Sequence, residues 1–287
     1  MARHRGATRR QALVTLAGAA GLAMPALAQQ RPFLLALTPV LMTSDLDLLG
    51  LLRGYLSAAL GLPVQLATRR SYQDVTVLVL GGKVDAAWVC GYPYVMHRDL
   101  LEVVAVPLWR GAPLYEAYLI VERGAAARDW SDLEGDMHAF SDPDSNSGYL
   151  VTAALLAQQG RRVESFFRGT MFTYEHRNVV RAVASGLAQS GSVDGYIWEV
   201  MAETEPDLAE ATRVLRRSEP LGFPPVVVNP GMADPGRSAA LRGALLSMAA
   251  DPAGRALLAE LRLDGFTEVP GGHFDSIAAR ATLLRQL

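Results

Sequence analysis

The chain has 287 residues, half of them hydrophobic and a fifth charged, with 27 Lys and Arg against 29 Asp and Glu. A formal charge of −2 excludes the basic surface on which nucleic-acid binding rests. Cys90 is the only cysteine, which excludes an intrachain disulfide, and the histidines at 97, 138, 176 and 273 lack the paired spacing of a metal site.

Arg3, Arg5, Arg9 and Arg10 form a basic head without an acid, and residues 12–24 are apolar and rich in Ala and Gly. Pro25-Ala26-Leu27-Ala28 then offers small residues for cleavage, so residues 1–28 read as a secretory signal too short and too weakly apolar to stay as an anchor. Thr8-Arg9-Arg10-Gln11-Ala12-Leu13 resembles a twin-arginine export signal, but it lacks the usual Phe after the pair, which leaves Sec export open. The expected location is the periplasm, as a free soluble protein. With the four leader arginines set aside, 23 basic side chains face 29 acidic ones, so any anion must be held by dipoles and hydrogen bonds against the overall charge.

Beyond the leader, strand-like and helix-like stretches alternate. Phe33–Leu37 reads as a strand, and residues 45–60 as a helix with Leu48, Leu52, Tyr55, Leu56 and Ala59 on one face. A strand at 62–66, a helix at Tyr72–Leu80 ended by Gly81-Gly82, and a short strand at 85–89 complete a β-α-β-α-β order, the grammar of a parallel sheet with helices on both faces. A second block opens at 118–121. It continues through a strand at Met137–Phe140, a helix after Tyr149, a helix around 179–185 and a strand at 192–197. Residues 222–228 lead back into helices at 237–250 and 253–261, and His273-Phe274-Asp275 reads as a helix start. Trp88 and Trp198 read as core aromatics at strand ends.

Within the second block, Phe140-Ser-Asp-Pro-Asp-Ser-Asn-Ser-Gly-Tyr-Leu150 runs from a strand end through a tight turn into a helix start. An ordinary N-cap needs one Ser; here Ser145 and Ser147 flank Asn146, with Gly148 following. The first turn of a helix has unpaired N–H groups and a partial positive charge, so hydroxyls placed there can hold an oxyanion without a cationic side chain.

Several motifs occur in a telling order: Tyr72-Gln-Asp-Val75, Gly82-Lys-Val-Asp-Ala-Ala-Trp88, Gly91-Tyr-Pro-Tyr94, Tyr115 before Leu119-Ile-Val121, Ser145-Asn-Ser-Gly148, His176 before Ala182-Val-Ala-Ser-Gly186, and Val193-Asp-Gly195. Together they resemble the phosphonate, phosphite and phosphate-binding family of periplasmic solute-binding proteins that feed ABC importers, over essentially the whole mature chain. The resemblance implies an α/β, two-lobed clamshell of the type II periplasmic binding fold, each lobe a sheet flanked by helices. Two crossover strands join the lobes, and the ligand closes between them. One lobe is expected from residues 29–117 and 221–287, the other from 118–220.

The same resemblance implies the site. Ser145, Asn146 and Ser147 stand where the family has a Ser-Thr-Ser turn, so Asn146 replaces the central Thr. With the N–H groups up to Gly148 they are expected to hold the oxyanion, Tyr72 and Tyr115 to donate phenolic hydrogen bonds, and His176 to contact it from another helix start. Cys90, Tyr94, Asp194 and Tyr196 are further candidates. Tyr196 and Pro224 occupy the positions where aminophosphonate binders carry acids, which favours phosphite, phosphate or a simple phosphonate delivered to an ABC permease. An alternative is an oxyanion sensor, with Cys90 taking arsenite and the closed form engaging the periplasmic domain of a histidine kinase, because relatives of the family sense arsenite through a cysteine. Ser145, His176 and Asp194 share the residue types of a hydrolase triad, but no Gly-x-Ser-x-Gly elbow surrounds Ser145, so binding is expected, not catalysis, with no cofactor and no metal.

Overall fold

A computed structural model describes residues 31–39 and 46–286. The leader read at residues 1–28 lies outside the described residues. In chain order, β1 (Phe33–Leu37), β2 (Val64–Thr68), β3 (Ala86–Trp88) and β4 (Glu102–Leu108) precede β5 (Leu114–Tyr115) and β6 (Ala117–Glu122). Next come β7 (Met137–Phe140), β8 (Gly169–Phe172), β9 (Ser190–Asp194) and β10 (Thr212–Arg217), followed by β11 (Leu221–Gly222), β12 (Val226–Val228) and β13 (Gly265–Thr267). One sheet has the order β13-β4-β12-β3-β1-β2 and a second the order β10-β6-β9-β7-β8, while β5 and β11 pair as a two-stranded antiparallel ribbon.

β1 runs parallel to β2 and to β3, connected through the Leu46–Leu60 and Tyr72–Leu80 helices as parallel pairing requires. These three strands are parallel as expected, and the strands added beyond them make the first sheet mixed: β12 is antiparallel to β3 and β4, and β13 is antiparallel to β4. The register gives the reason. Val226, the first residue of β12, pairs with Trp88, the last of β3, so the chain enters at the end where β3 stops and runs back along it. The Leu46–Leu60 helix buries Leu48, Leu52, Tyr55 and Leu56 against this sheet, and the Tyr55 hydroxyl donates to the Ala244 carbonyl of the Pro235–Leu246 helix.

In the second sheet, β9 ends at Asp194 and Gly195–Thr204 is a helix, which corrects the strand expected to reach residue 197. Asp194 is the cause. Its carboxylate accepts the N–H groups of Tyr196 and Ile197, the signature of a helix N-cap, and Ile197, Val200 and Met201 follow as a buried stripe. Trp198 therefore lies on a helix, half-buried, with its indole N–H donating to Thr212 Oγ1, whereas Trp88 is buried at the end of β3 as expected.

Candidate functional site

Five strand-to-helix junctions deliver the candidate residues. Tyr72 opens the Tyr72–Leu80 helix after β2, and Cys90 caps the Gly91–Met96 helix after β3. Ser145 caps the π turn Asn146–Leu150 that runs into the Val151–Ala157 helix, His176 opens the His176–Ala184 helix, and Asp194 caps the Gly195–Thr204 helix. Tyr115 joins them from β5. Helix N-termini carry partial positive charge, so their convergence favours an anion although none of these residues is Lys or Arg. All of them are at most 2 % exposed.

His176 fixes the direction of the network. Its Nδ1 accepts the backbone N–H of Asp194 at 3.0 Å, and burial holds its pKa down at about 3, so the ring is neutral. The proton of the neutral ring is then on Nε2, which donates to Tyr72 Oη at 3.2 Å. The Tyr72 hydroxyl keeps its own proton for another acceptor. Both ring nitrogens are engaged away from Ser145, so the residue types of a triad are not wired as one.

The turn itself is tightly built. Ser145 Oγ accepts the Gly148 N–H at 3.0 Å, Asn146 N–H donates to Cys90 Sγ at 3.3 Å, and Asn146 Nδ2 donates to Tyr115 Oη at 2.8 Å. A Cβ on Gly148 would lie 1.8 Å from Ser141 Oγ, so only glycine lets the turn pass. Three buried polar atoms here have no partner: Ser147 Oγ, Asn146 Oδ1 and Ser141 Oγ. Buried orphans cost free energy unless something pairs with them, so these three atoms would gain from a polar partner.

Two acids and a thiol complete the enclosure. Burial raises Asp194 to about 7, against the N–H groups of Ile197 and Tyr196 and the nearby Ser147 hydroxyl, which favour its ionised form without reaching hydrogen-bonding geometry in the case of Ser147. Burial pushes the Cys90 thiol up to about 12, so it is protonated and accepts the Asn146 N–H as a neutral sulfur. A soft thiolate ligand, on which the sensor alternative drew, is not what this pocket stabilises. Asp142 was not among the residues expected at the site. Its Oδ2 accepts the Tyr72 N–H at 3.1 Å and its Oδ1 the Asp144 N–H at 2.8 Å, which ties the end of β7 to the Tyr72–Leu80 helix. The sequence signal for it was an acid two residues past a strand end.

Two candidates are placed elsewhere. The Tyr94 ring packs edge-on against Phe274, and the charges around its hydroxyl are Arg98 and Asp275. The Tyr196 hydroxyl donates to the Leu261 carbonyl while its ring packs on Trp109 and Phe223, so this residue gives Asp194 only its backbone N–H. Pro224 is buried, and its carbonyl accepts the Trp88 indole N–H. Among the described residues no group of His, Cys, Asp and Glu is arranged to hold a metal ion.

A family model described as "ABC transporter, phosphonate, periplasmic substrate-binding protein" matches residues 36–271. The chain belongs to this family. Its members are binding components of importers, not enzymes, with mixed α/β folds of the type II periplasmic binding class. The binding-protein component of an ABC phosphonate transporter from Pseudomonas aeruginosa is 20 % identical with a TM-score of 0.81, covering 89 % of this chain and 87 % of that one. PhnD1 from Prochlorococcus marinus, in complex with methylphosphonate, is 16 % identical with a TM-score of 0.78 over 89 % and 98 % of the two chains. XAC2383 from Xanthomonas citri, bound to chloride ion, is 19 % identical with a TM-score of 0.73 over 88 % and 98 %. These three likenesses establish the shared fold. Among the described residues no helix is long and apolar enough to cross a membrane.

Proposed function

We propose that this protein captures a small phosphorus oxyanion (phosphite, phosphate or a simple phosphonate) between two lobes in the periplasm and delivers it to an ABC permease. In this reading residues 29–117 and 221–287 form one lobe and 118–220 the other, with the β5–β11 ribbon between them. The observation that carries it is the Ser147 hydroxyl, buried on a helix-start turn beside Tyr115 and Asp194 without a hydrogen bond of good geometry. PhnD1 takes methylphosphonate on the same fold. A small uncharged substituent is favoured, because the Tyr196 hydroxyl and the Pro224 carbonyl are committed within the protein and offer nothing to an ammonium tail.

Ser147→Ala tests the reading cleanly. Ser147 Oγ lies near Tyr115 and Asp194 but reaches good hydrogen-bonding geometry with neither, so the ligand-free variant is expected to melt close to wild type, within about 0.5 kcal/mol. A hydrogen bond to a charged partner contributes about 1.5–3 kcal/mol, so the affinity for phosphite or methylphosphonate is expected to fall about ten- to a hundredfold. Thermal shift across phosphite, phosphate, methylphosphonate, sulfate and arsenite reads both quantities, since a ligand of the native state raises the melting temperature. Ser145→Ala is less clean, because it also removes the cap on Gly148, worth about 1 kcal/mol. A Ser147→Ala variant that binds its oxyanion as tightly as wild type would sink the assignment.

A further inference from the structure

The Asp275–Arg285 helix packs on the Gly91–Met96 helix, which follows β3, and on the Val151–Ala157 helix, which continues the oxyanion turn. Beside the second of these it borders a cavity of about 80 Å³, walled also by β6 and by the end of β10 with the residues after it. At about 10–15 Å³ per water, this is room for about six heavy atoms. Ala117 and Leu119 stand two apart on β6 and so on one face, and Val151, Ala154 and Leu155 share one face of the helix opposite. Together they make an apolar floor, with Leu119 and Ala154 buried.

The other end of the cavity is charged. Arg216 pairs with Leu119 across the β10–β6 ladder and lies on the same face, whereas Arg217 beside it covers the Tyr118 ring on the other. Arg280 enters from the Asp275–Arg285 helix with its side chain 12 % exposed, and its carboxylate partner, Glu219, is 57 % exposed. Two guanidinium groups in the lining thus face one carboxylate, and burial lowers the Arg280 pKa, as for a cation short of compensating charge. An ion pair whose acid is more than half exposed holds weakly, so Glu219 can turn to solvent and yield its place to another carboxylate. The planar fork of an Arg matches such a group with two parallel hydrogen bonds.

We propose that this cavity is a second binding site, which takes a short-chain aliphatic carboxylate with its head on Arg280 and its tail over Leu119 and Ala154, and that the occupant strengthens oxyanion capture. The second part rests on the two-lobed reading above. Arg280 belongs to the first half, while β6 and the Val151–Ala157 helix belong to the second, so an occupant touches both and favours the form in which they are together. The Tyr115 hydroxyl, which acts on the Arg280 charge, also accepts from Asn146 of the oxyanion turn. Coupling between the two sites is reciprocal.

The experiment titrates butyrate, which suits this volume, and its cationic counterpart n-butylammonium into the full chain, followed by amide NMR. Wild type is expected to bind butyrate saturably, with shifts centred on Leu119, Ala154 and Leu155, and to ignore n-butylammonium. Arg280→Gln is expected to weaken butyrate at least about tenfold, and Ala154→Leu, which fills the floor, to abolish its binding. Should Ala154→Leu fail to fold, Leu155→Trp narrows the cavity from a half-buried position. Saturating butyrate is expected to raise the affinity for phosphite at least about fivefold in wild type, read by isothermal titration, and to leave it unchanged in Arg280→Gln. Butyrate shifts that do not saturate, that centre elsewhere, or that survive both Arg280→Gln and the cavity-filling variant overturn the site. Saturable binding in the cavity with no change in phosphite affinity overturns its role as an effector site. Wild type that binds no phosphite removes the oxyanion reading and the coupling with it, while the butyrate titration still decides the cavity.

Discussion

At Asp194 the demands of the fold and of the site pull in opposite directions. The carboxylate caps a helix, which favours the ionised form, yet burial outweighs the two N–H donors and raises the group to about 7 from an ordinary value of 3.8. The sign for stability follows. Because the folded chain binds this proton more tightly than the unfolded chain, the contribution of Asp194 is intact below about pH 4 and is lost as pH rises towards 7. Asp194→Asn removes that loss. Without ligand, the variant is expected to gain up to about 4 kcal/mol relative to wild type between pH 4 and pH 8, read from urea denaturation at the two pH values. An unchanged difference would mean that the carboxyl is better solvated than its burial implies. His138 and His176, held at about 3, act in the other direction and lose stability as pH falls below about 6.5. Much at this scale was legible beforehand. Tyr72, Tyr115, Ser145, Asn146, Ser147, Gly148 and His176 stood out by their ordered motifs and meet in one cluster. Asp142 did not, because an acid in a turn reads as solvated until the fold brings the Tyr72 N–H onto it.

The elements are placed by close approach as much as by hydrophobic patterning. β9 is Ser-Gly-Ser-Val-Asp, buried throughout, and Gly191 is what lets the His176–Ala184 helix lie on it. A Cβ there would meet Val179 Cγ1 at 2.6 Å and Val183 Cγ2 at 3.1 Å. Gly191→Ala is therefore expected to push that helix outward, at a cost of about 1–3 kcal/mol by denaturant melt. It should also weaken ligand binding, because His176 opens the displaced helix. Native stability together with native affinity in this variant would show that the helix yields without moving His176. The apolar runs made β1, β3, β7 and most helices readable, since burial on both faces writes continuous hydrophobic stretches. β9 was misread at its end because Gly-Tyr-Ile-Trp looks strand-like by propensity, whereas the Asp194 cap and the stripe of Ile197, Val200 and Met201 decide for helix. The direction of β12 was invisible locally; it depends on which end of the first sheet the returning chain reaches.

Across the whole molecule, the site is composite and shut. Tyr72, Cys90 and Tyr115 come from the first sheet and the ribbon, while Ser145 to Gly148, His176 and Asp194 come from the second sheet, and all are at most 2 % exposed except where Gly148 is simply buried. On the proposed function, a ligand enters and leaves by separation of these two groups. Within the cluster, hydrogen bonds that span them join Tyr72 to Asp142 and His176, and Asn146 to Cys90 and Tyr115; outside it, Tyr196 with Leu261 and the ion pairs Arg110–Glu199 and Arg262–Glu203 also join the two halves. Asp142 is the anchor outside the Ser145–Gly148 segment: its carboxylate accepts the N–H groups of Tyr72 and Asp144, and none of the unpartnered polar atoms belongs to it. Asp142→Ala removes the acceptor of the Tyr72 N–H and shifts the population towards the separated form. Affinity then drops in proportion to the fraction still able to close. The expected loss is about ten- to a hundredfold, carried mainly by faster release. Small-angle scattering gives the independent readout. Wild type should contract when phosphite or methylphosphonate is added, and ligand-free Asp142→Ala should be at least as expanded as ligand-free wild type. If wild type has the same radius of gyration with and without ligand, and Asp142→Ala releases it no faster, then exchange does not proceed through separation of the two halves.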